Sequence, residues 1–135
     1  MRILGLDPGE KRIGVAITDP LGITAQGIDV IPYSEPETAF EEIEKICRQY
    51  GVEKIVVGNP LNMNGTKGPA SEHAIWFAEK LSSMVGLPVE MIDERLTTVS
   101  AEKTLISVGM RRKKRREIKD KLAAVIILEK YLASQ

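Results

Sequence analysis

Histidine and cysteine are almost missing from this chain: its 135 residues include one of each, His73 and Cys47. A single cysteine excludes an internal disulfide, and the pair cannot supply the clustered nitrogen and sulfur ligands of a structural zinc site. Cys47 stands at helical spacing from Phe40, Ile43 and Tyr50, which suits a small buried hydrophobe rather than a nucleophile. Apolar runs of the roughly 20 residues that span a membrane are also lacking, so membrane insertion is not expected. The opening residues Met1-Arg2-Ile3-Leu4-Gly5 lack the charged segment, apolar core and small-residue cleavage site of a secretion signal, and a cytoplasmic location is expected. At this length residues 1–135 form one domain, large enough for its own core.

Net charge is also missing, with 19 basic residues against 19 acidic. That balance hides a segregation. Arg111, Arg112, Lys113, Lys114, Arg115 and Arg116 form an unbroken basic run, and without them 13 basic residues face 19 acidic ones. A basic patch on an acidic body fits contact with phosphate groups, although a charge run is often only a solvated surface.

Turn residues and hydrophobic periods divide the chain into alternating elements. Arg2–Leu6 and Ile13–Thr18 are β-prone runs joined by a turn containing Pro8 and Gly9, which predicts an antiparallel hairpin, and Ala25–Ile31 adds a third strand. Ser34-Glu35-Pro36-Glu37 reads as a capping box for a helix ending at Gly51. Lys54–Val57 is apolar enough to be buried on both faces, as a central parallel strand is. A glycine-rich loop, Gly58 to Gly68, leads through Pro69 into a helix reaching about Val85, and Val89–Ile92 is the last strand. A helix is expected from Thr98 to Val108, stopping at Gly109, and another from Ile118 to Leu132 beyond the basic run. Three strands followed by alternating helices and strands imply an α/β fold with a mixed sheet.

Carboxylates mark the strand ends: Asp7 follows the first strand, Asp93 and Glu94 the last. In layered α/β folds those ends line the ligand crevice, though an aspartate before Pro-Gly can also simply cap a turn. Asp120 is more telling, because Ala124, Ile127, Leu128 and Tyr131 continue its stripe along a helix. A carboxylate facing a core is costly unless it is paired, hydrogen-bonded or bound to a cation. Asp7, Glu94 and Asp120 gathered together, with Asp93 in reserve, call for positive charge between them. Hard oxygen donors select Mg²⁺ or Mn²⁺, and such ions serve phosphoryl chemistry.

Other chemistries have less support. His73 lacks the serine elbow of a hydrolase and reads as a surface residue. The glycine-rich loop lacks the Gly-Lys-Ser/Thr ending of a nucleotide-binding loop, yet its asparagines, Thr66 and Lys67 could hold a phosphate backbone.

Four motifs in order carry a resemblance: Gly5-Leu6-Asp7-Pro8-Gly9 with Arg12-Ile13-Gly14-Val15-Ala16; Val57-Gly58-Asn59-Pro60-Leu61 with Asn64-Gly65; Asp93-Glu94-Arg95-Leu96-Thr97-Thr98; and Asp120-Lys121-Leu122-Ala123-Ala124. Together they closely resemble the YqgF/RuvX family over nearly the whole chain. The resemblance implies a ribonuclease H-like α/β fold, a mixed five-stranded sheet with helices on both faces, related to the Holliday-junction resolvase RuvC. It gives Asp7, Glu94 and Asp120 the metal-binding, catalytic roles of a nuclease. Lys11, Arg12, Asn64, Lys67, Arg95 and the basic run are the expected contacts to nucleic acid. The implied substrate is the 5′ end of the 16S ribosomal RNA precursor or, alternatively, a branched DNA junction, cut by a monomer or a homodimer. A noncatalytic RNA-binding assembly factor is the rival from another class, and an actin-like nucleotide binder is disfavoured because that architecture needs two such units. One departure is Asn59, where the family often has an apolar residue.

Overall fold

A computed structural model of the chain describes residues 1–62, 64–94 and 112–135. The strands are β1 (Ile3–Pro8), β2 (Arg12–Thr18), β3 (Ala25–Pro32), β4 (Lys54–Asn59) and β5 (Val89–Asp93); the helices are α1 (Pro36–Tyr50), α2 (Pro69–Val85) and α3 (Arg112–Ala133). The sheet order is β3-β2-β1-β4-β5. β1 pairs antiparallel with β2 and parallel with β4, β2 antiparallel with β3, and β4 parallel with β5. The sheet is therefore mixed, as its alternating elements imply.

Strand alternation sorts the core into two layers. Leu4, Leu6, Ile55 and Val57 face α1 and α2, where Phe40, Ile43, Phe77 and Leu81 meet them. Ile3 and Val56 face the other way, onto Ala124, Ile127, Leu128 and Tyr131 of α3. All four residues of the stripe below Asp120 are buried, so the helical spacing identified the inner face of α3 correctly. Burial also pushes the Cys47 thiol up to about 11, aided by the Glu44 charge, which leaves it an inert core residue.

Three expectations need correction. The capping box is not made: Glu35 is the N-cap residue and no side chain caps the helix, which starts directly on Pro36, whose fixed φ and missing N–H suit a first turn. The basic run is not a loop ahead of a helix from Ile118; Arg112 to Arg116 already belong to α3, consistent with the helix propensity of Lys and Arg and the absence of Gly or Pro there. Strands β1, β4 and β5 run one or two residues further than their apolar stretches, so that Asp7, Asn59 and Asp93 lie within them. The helix expected from Thr98 to Val108, Gly109, Arg95 and Arg111 lie outside the described residues. Among the described residues, no helix is long and apolar enough to cross a membrane.

Candidate active site

The site lies at the end of the parallel strands. Asp7 follows Ile3 and Gly5 on the β1 face turned to α3, and Glu94 follows Ile92 on the same face beyond β5. Two glycines flank Asp7. Gly14 is its partner on β2, and Gly58 stands one step beyond the Leu6–Val57 pair on β4. Neither position has room for a side chain. A Cβ on Gly14 would stand 2.0 Å from the Asp120 carbonyl oxygen, and one on Gly58 would stand 2.7 Å from Cδ of Glu94 and 2.5 Å from Cδ1 of Ile127. These two gaps let α3 lie against the sheet and let Glu94 swing beside Asp7.

Asp7, Glu94 and Asp120 line one cavity of about 370 Å³, together with Arg12, Lys119 and His73. Within it the carboxylates are not equivalent. Burial pushes Asp7 up to about 6, while a hydrogen bond with Glu94 and the charge of Lys119 pull down and Asp120 pushes up. Glu94 is pushed further, to about 9, by burial first and then by the Asp7 charge. Two crowded acids therefore favour keeping one proton within the pair. Asp120 is bound elsewhere: its Oδ2 accepts a 2.7 Å hydrogen bond from Nε of Arg12. Accordingly, no three His, Cys, Asp or Glu side chains among the described residues are grouped as a metal cage.

The donor set nevertheless fits a hard divalent cation. Oε2 of Glu94 is buried without a hydrogen-bond partner among the described residues, beside a second crowded carboxylate, Asp7. Asp7 and Glu94 would hold such a cation in place of their shared proton, and Asp120 is the third oxygen donor facing the same cavity. Asp93 ends β5 opposite Asn59 and lies outside this lining; its carbonyl accepts a hydrogen bond from Nζ of Lys130.

Raised acids make a stability prediction whose sign is fixed. Their folded pKa values lie above the unfolded ones near 4, so ionisation is penalised only in the folded state, and stability falls as pH rises from about 4 towards 9. For the metal-free protein we expect Tm to drop by at least several degrees between pH 5 and pH 8. Adding Mg²⁺ at pH 8 should restore it, and Glu94→Gln should flatten the slope. Equal melting curves at both pH values would contradict the shared-proton arrangement.

Other expected contacts fall in several places. Lys114 and Arg116 are exposed and Arg115 is half-buried on α3, close in sequence to Lys119 at the cavity. Lys11 and Lys67 are exposed on loops. Asn64 is occupied within its own loop, where Oδ1 accepts from the Thr66 backbone at 3.1 Å and from its hydroxyl at 2.6 Å, with Gly65 at φ 84° completing the turn. Asn59, the departure from the family pattern, has a structural use: its Oδ1 accepts 2.6 Å from the buried Ser71 hydroxyl, and its carbonyl accepts 3.1 Å from the Glu94 N–H. It thereby ties the first turn of α2 to the peptide that carries Glu94.

His73 is the residue that sequence reasoning misplaced. It is half-buried rather than freely exposed: it lines the cavity, its ring stacks on Trp76 at 5.8 Å and tilts against Tyr33 at 5.5 Å, and its buried Nε2 has no partner among the described residues. Its place in the opening turn of α2, just after the loop leaving β4, was the available signal.

Comparison with known proteins agrees with this geometry. Residues 1–134 match the family model described as RuvX, Holliday junction resolvase. A protein of Pelotomaculum thermopropionicum is 55% identical over 136 residues, covering 100% of this chain and 88% of its own. One from Listeria innocua is 54% identical over 134 residues, covering 98% and 97%. Both are provisionally named pre-16S rRNA nuclease. Among solved structures, Thermus thermophilus RuvC superimposes with a TM-score of 0.59 at 15% identity, covering 99% of this chain and 96% of that one. The fowlpox virus Holliday junction resolvase gives 0.60 at 15% identity, with all of both chains covered. At such identity the likeness is one of fold, the ribonuclease H-like arrangement.

Proposed function

Since the chain belongs to the RuvX family, we propose that it is a metal-dependent nuclease hydrolysing phosphodiester bonds, with the 5′ end of the 16S ribosomal RNA precursor as substrate. The observation that carries this reading is the convergence of Asp7, Glu94 and Asp120 on one cavity from three separate elements of the chain. Held by these oxygens, Mg²⁺ or Mn²⁺ would supply an activated water and stabilise the departing oxygen.

The chain's own residues do the remaining work. Lys119, together with Arg115 and Arg116 on the preceding turn of α3, offers cations to the nucleic-acid backbone without reading its sequence. Asn59 and Gly58 hold Glu94 where it meets Asp7. The names of the relatives favour RNA; the family description favours a second reading, resolution of a four-way DNA junction, and T. thermophilus RuvC with a Holliday junction shares the fold at a TM-score of 0.58.

One comparison separates these readings. The purified protein is offered precursor rRNA and a four-way DNA junction side by side, with and without Mg²⁺. We expect cutting of the RNA only in the presence of Mg²⁺. Selective cutting of the junction would transfer the activity to DNA, and intact substrates of both kinds after long incubation with Mg²⁺ would reduce the protein to a binding factor.

A further inference from the structure

Arg12 is the cavity's most constrained cation. It opens β2, and its Nε donates to Asp120 Oδ2 at 2.7 Å across 108 residues of sequence. Its side chain is 32% exposed and that of Asp120 only 14%. Arg12 also stands on the wall between two cavities, since it lines both the carboxylate cavity and a neighbouring groove of about 290 Å³ that β3 and α3 form with Lys121.

We propose that Arg12 is a substrate-responsive positioning residue: it holds Asp120 in an ion pair until a nucleic-acid phosphate takes its guanidinium, releasing Asp120 to the metal. The proposal rests on the nuclease reading above. Because the pair is part-buried, separating it is costly unless both partners are re-engaged at once, and the more exposed Arg12 is the partner that a ligand can reach. A phosphate is the better partner, because a guanidinium can grip it through two parallel hydrogen bonds where Asp120 uses one nitrogen. Asp120 cannot then stay bare, being mostly buried, and a divalent ion is the replacement counter-charge. Nucleic acid and metal therefore bind cooperatively, each favouring the state in which Arg12 and Asp120 are apart.

Calorimetric titration of the intact chain with Ca²⁺, which uses the same oxygen donors, tests this without measuring turnover. Three proteins are compared, free and saturated with a short single-stranded RNA: wild type, Arg12→Gln, and Lys119→Gln as a control for loss of one positive charge at the same cavity. In the free state Arg12→Gln should bind Ca²⁺ about fivefold tighter than wild type, the lower end of typical coupling, and tighter than Lys119→Gln. RNA should tighten Ca²⁺ binding by wild type by a similar factor and by Arg12→Gln distinctly less. Arg12→Gln binding Ca²⁺ no tighter than Lys119→Gln, or an equal RNA increment in Arg12→Gln and wild type, overturns the proposal. Absence of RNA binding by all three would instead count against RNA as the substrate, while the RNA-free comparison still decides the role of Arg12. If Arg12→Gln does not fold, Arg12→Lys takes its place, with its free-state Ca²⁺ affinity expected between wild type and that fivefold gain; affinity at or below wild type then overturns the proposal.

Discussion

Asp7→Asn is expected to lower Mg²⁺-dependent cleavage by on the order of a thousandfold, about 4 kcal/mol of activation free energy, while leaving the fold intact. Asn keeps the shape of Asp7 but cannot balance a divalent charge. Its second effect has the opposite sign. Asp7 is costly to ionise in the metal-free protein because burial and Asp120 both oppose its charge, so the neutral amide should raise the metal-free Tm at pH 8 by a few degrees. A general loss of stability would not produce that pairing. Melting curves with and without Mg²⁺, beside a cleavage assay on whichever substrate the wild type cuts, check both halves. A variant retaining full activity would remove Asp7 from the chemistry.

Gly14→Val should be the most damaging single change to the fold. A Cβ there would lie 2.0 Å from the Asp120 carbonyl oxygen, and the obstacle is helix backbone, which cannot rotate out of the way. α3 has to lift from β2, taking Asp120 out of the cavity and opening the layer formed by Ala124, Ile127 and Leu128. Overpacking of a core costs typically 1–3 kcal/mol, and a backbone collision belongs at or above the top of that range, so a Tm loss of roughly 10 °C is expected. Gly51→Ala is the control. Gly51 has a left-handed φ of 66° and nothing within 4 Å of a Cβ, so it should show only the cost of about 1 kcal/mol for that conformation. Equal melting temperatures for the two variants would contradict the close approach at Gly14.

Much of this architecture was legible because it follows local rules. The Pro8-Gly9 turn gave the hairpin, the apolar continuity of Lys54–Val57 gave a central strand, and the stripe from Asp120 to Tyr131 gave the inward face of a helix. Contacts made across the sheet were not legible. Nothing near Arg12 in sequence points to Asp120, since their pairing depends on how α3 crosses β2. Gly14 reads as an ordinary strand glycine, and Gly58 as the first residue of a glycine-rich loop, until the third dimension shows what occupies their missing side chains. His73 was assigned to the surface because its helix was judged by its own sequence, whereas Tyr33 from beyond β3 supplies one of its covering rings. The extent of the basic helix was missed for a different reason: charge suggested a loop, while helix propensity, which is indifferent to that charge, continued the helix through it.

The order of the elements also sets a schedule for assembly. Ribosomes build the chain from β1 onwards, so the half carrying Asp7 and Glu94 exists before Asp120, which arrives only on α3. Until α3 seats on Gly14 and Val56, a nascent copy carries Asp7 and Glu94 and lacks the third acid. Seating of α3 is thus the step that brings the third acid to the cavity.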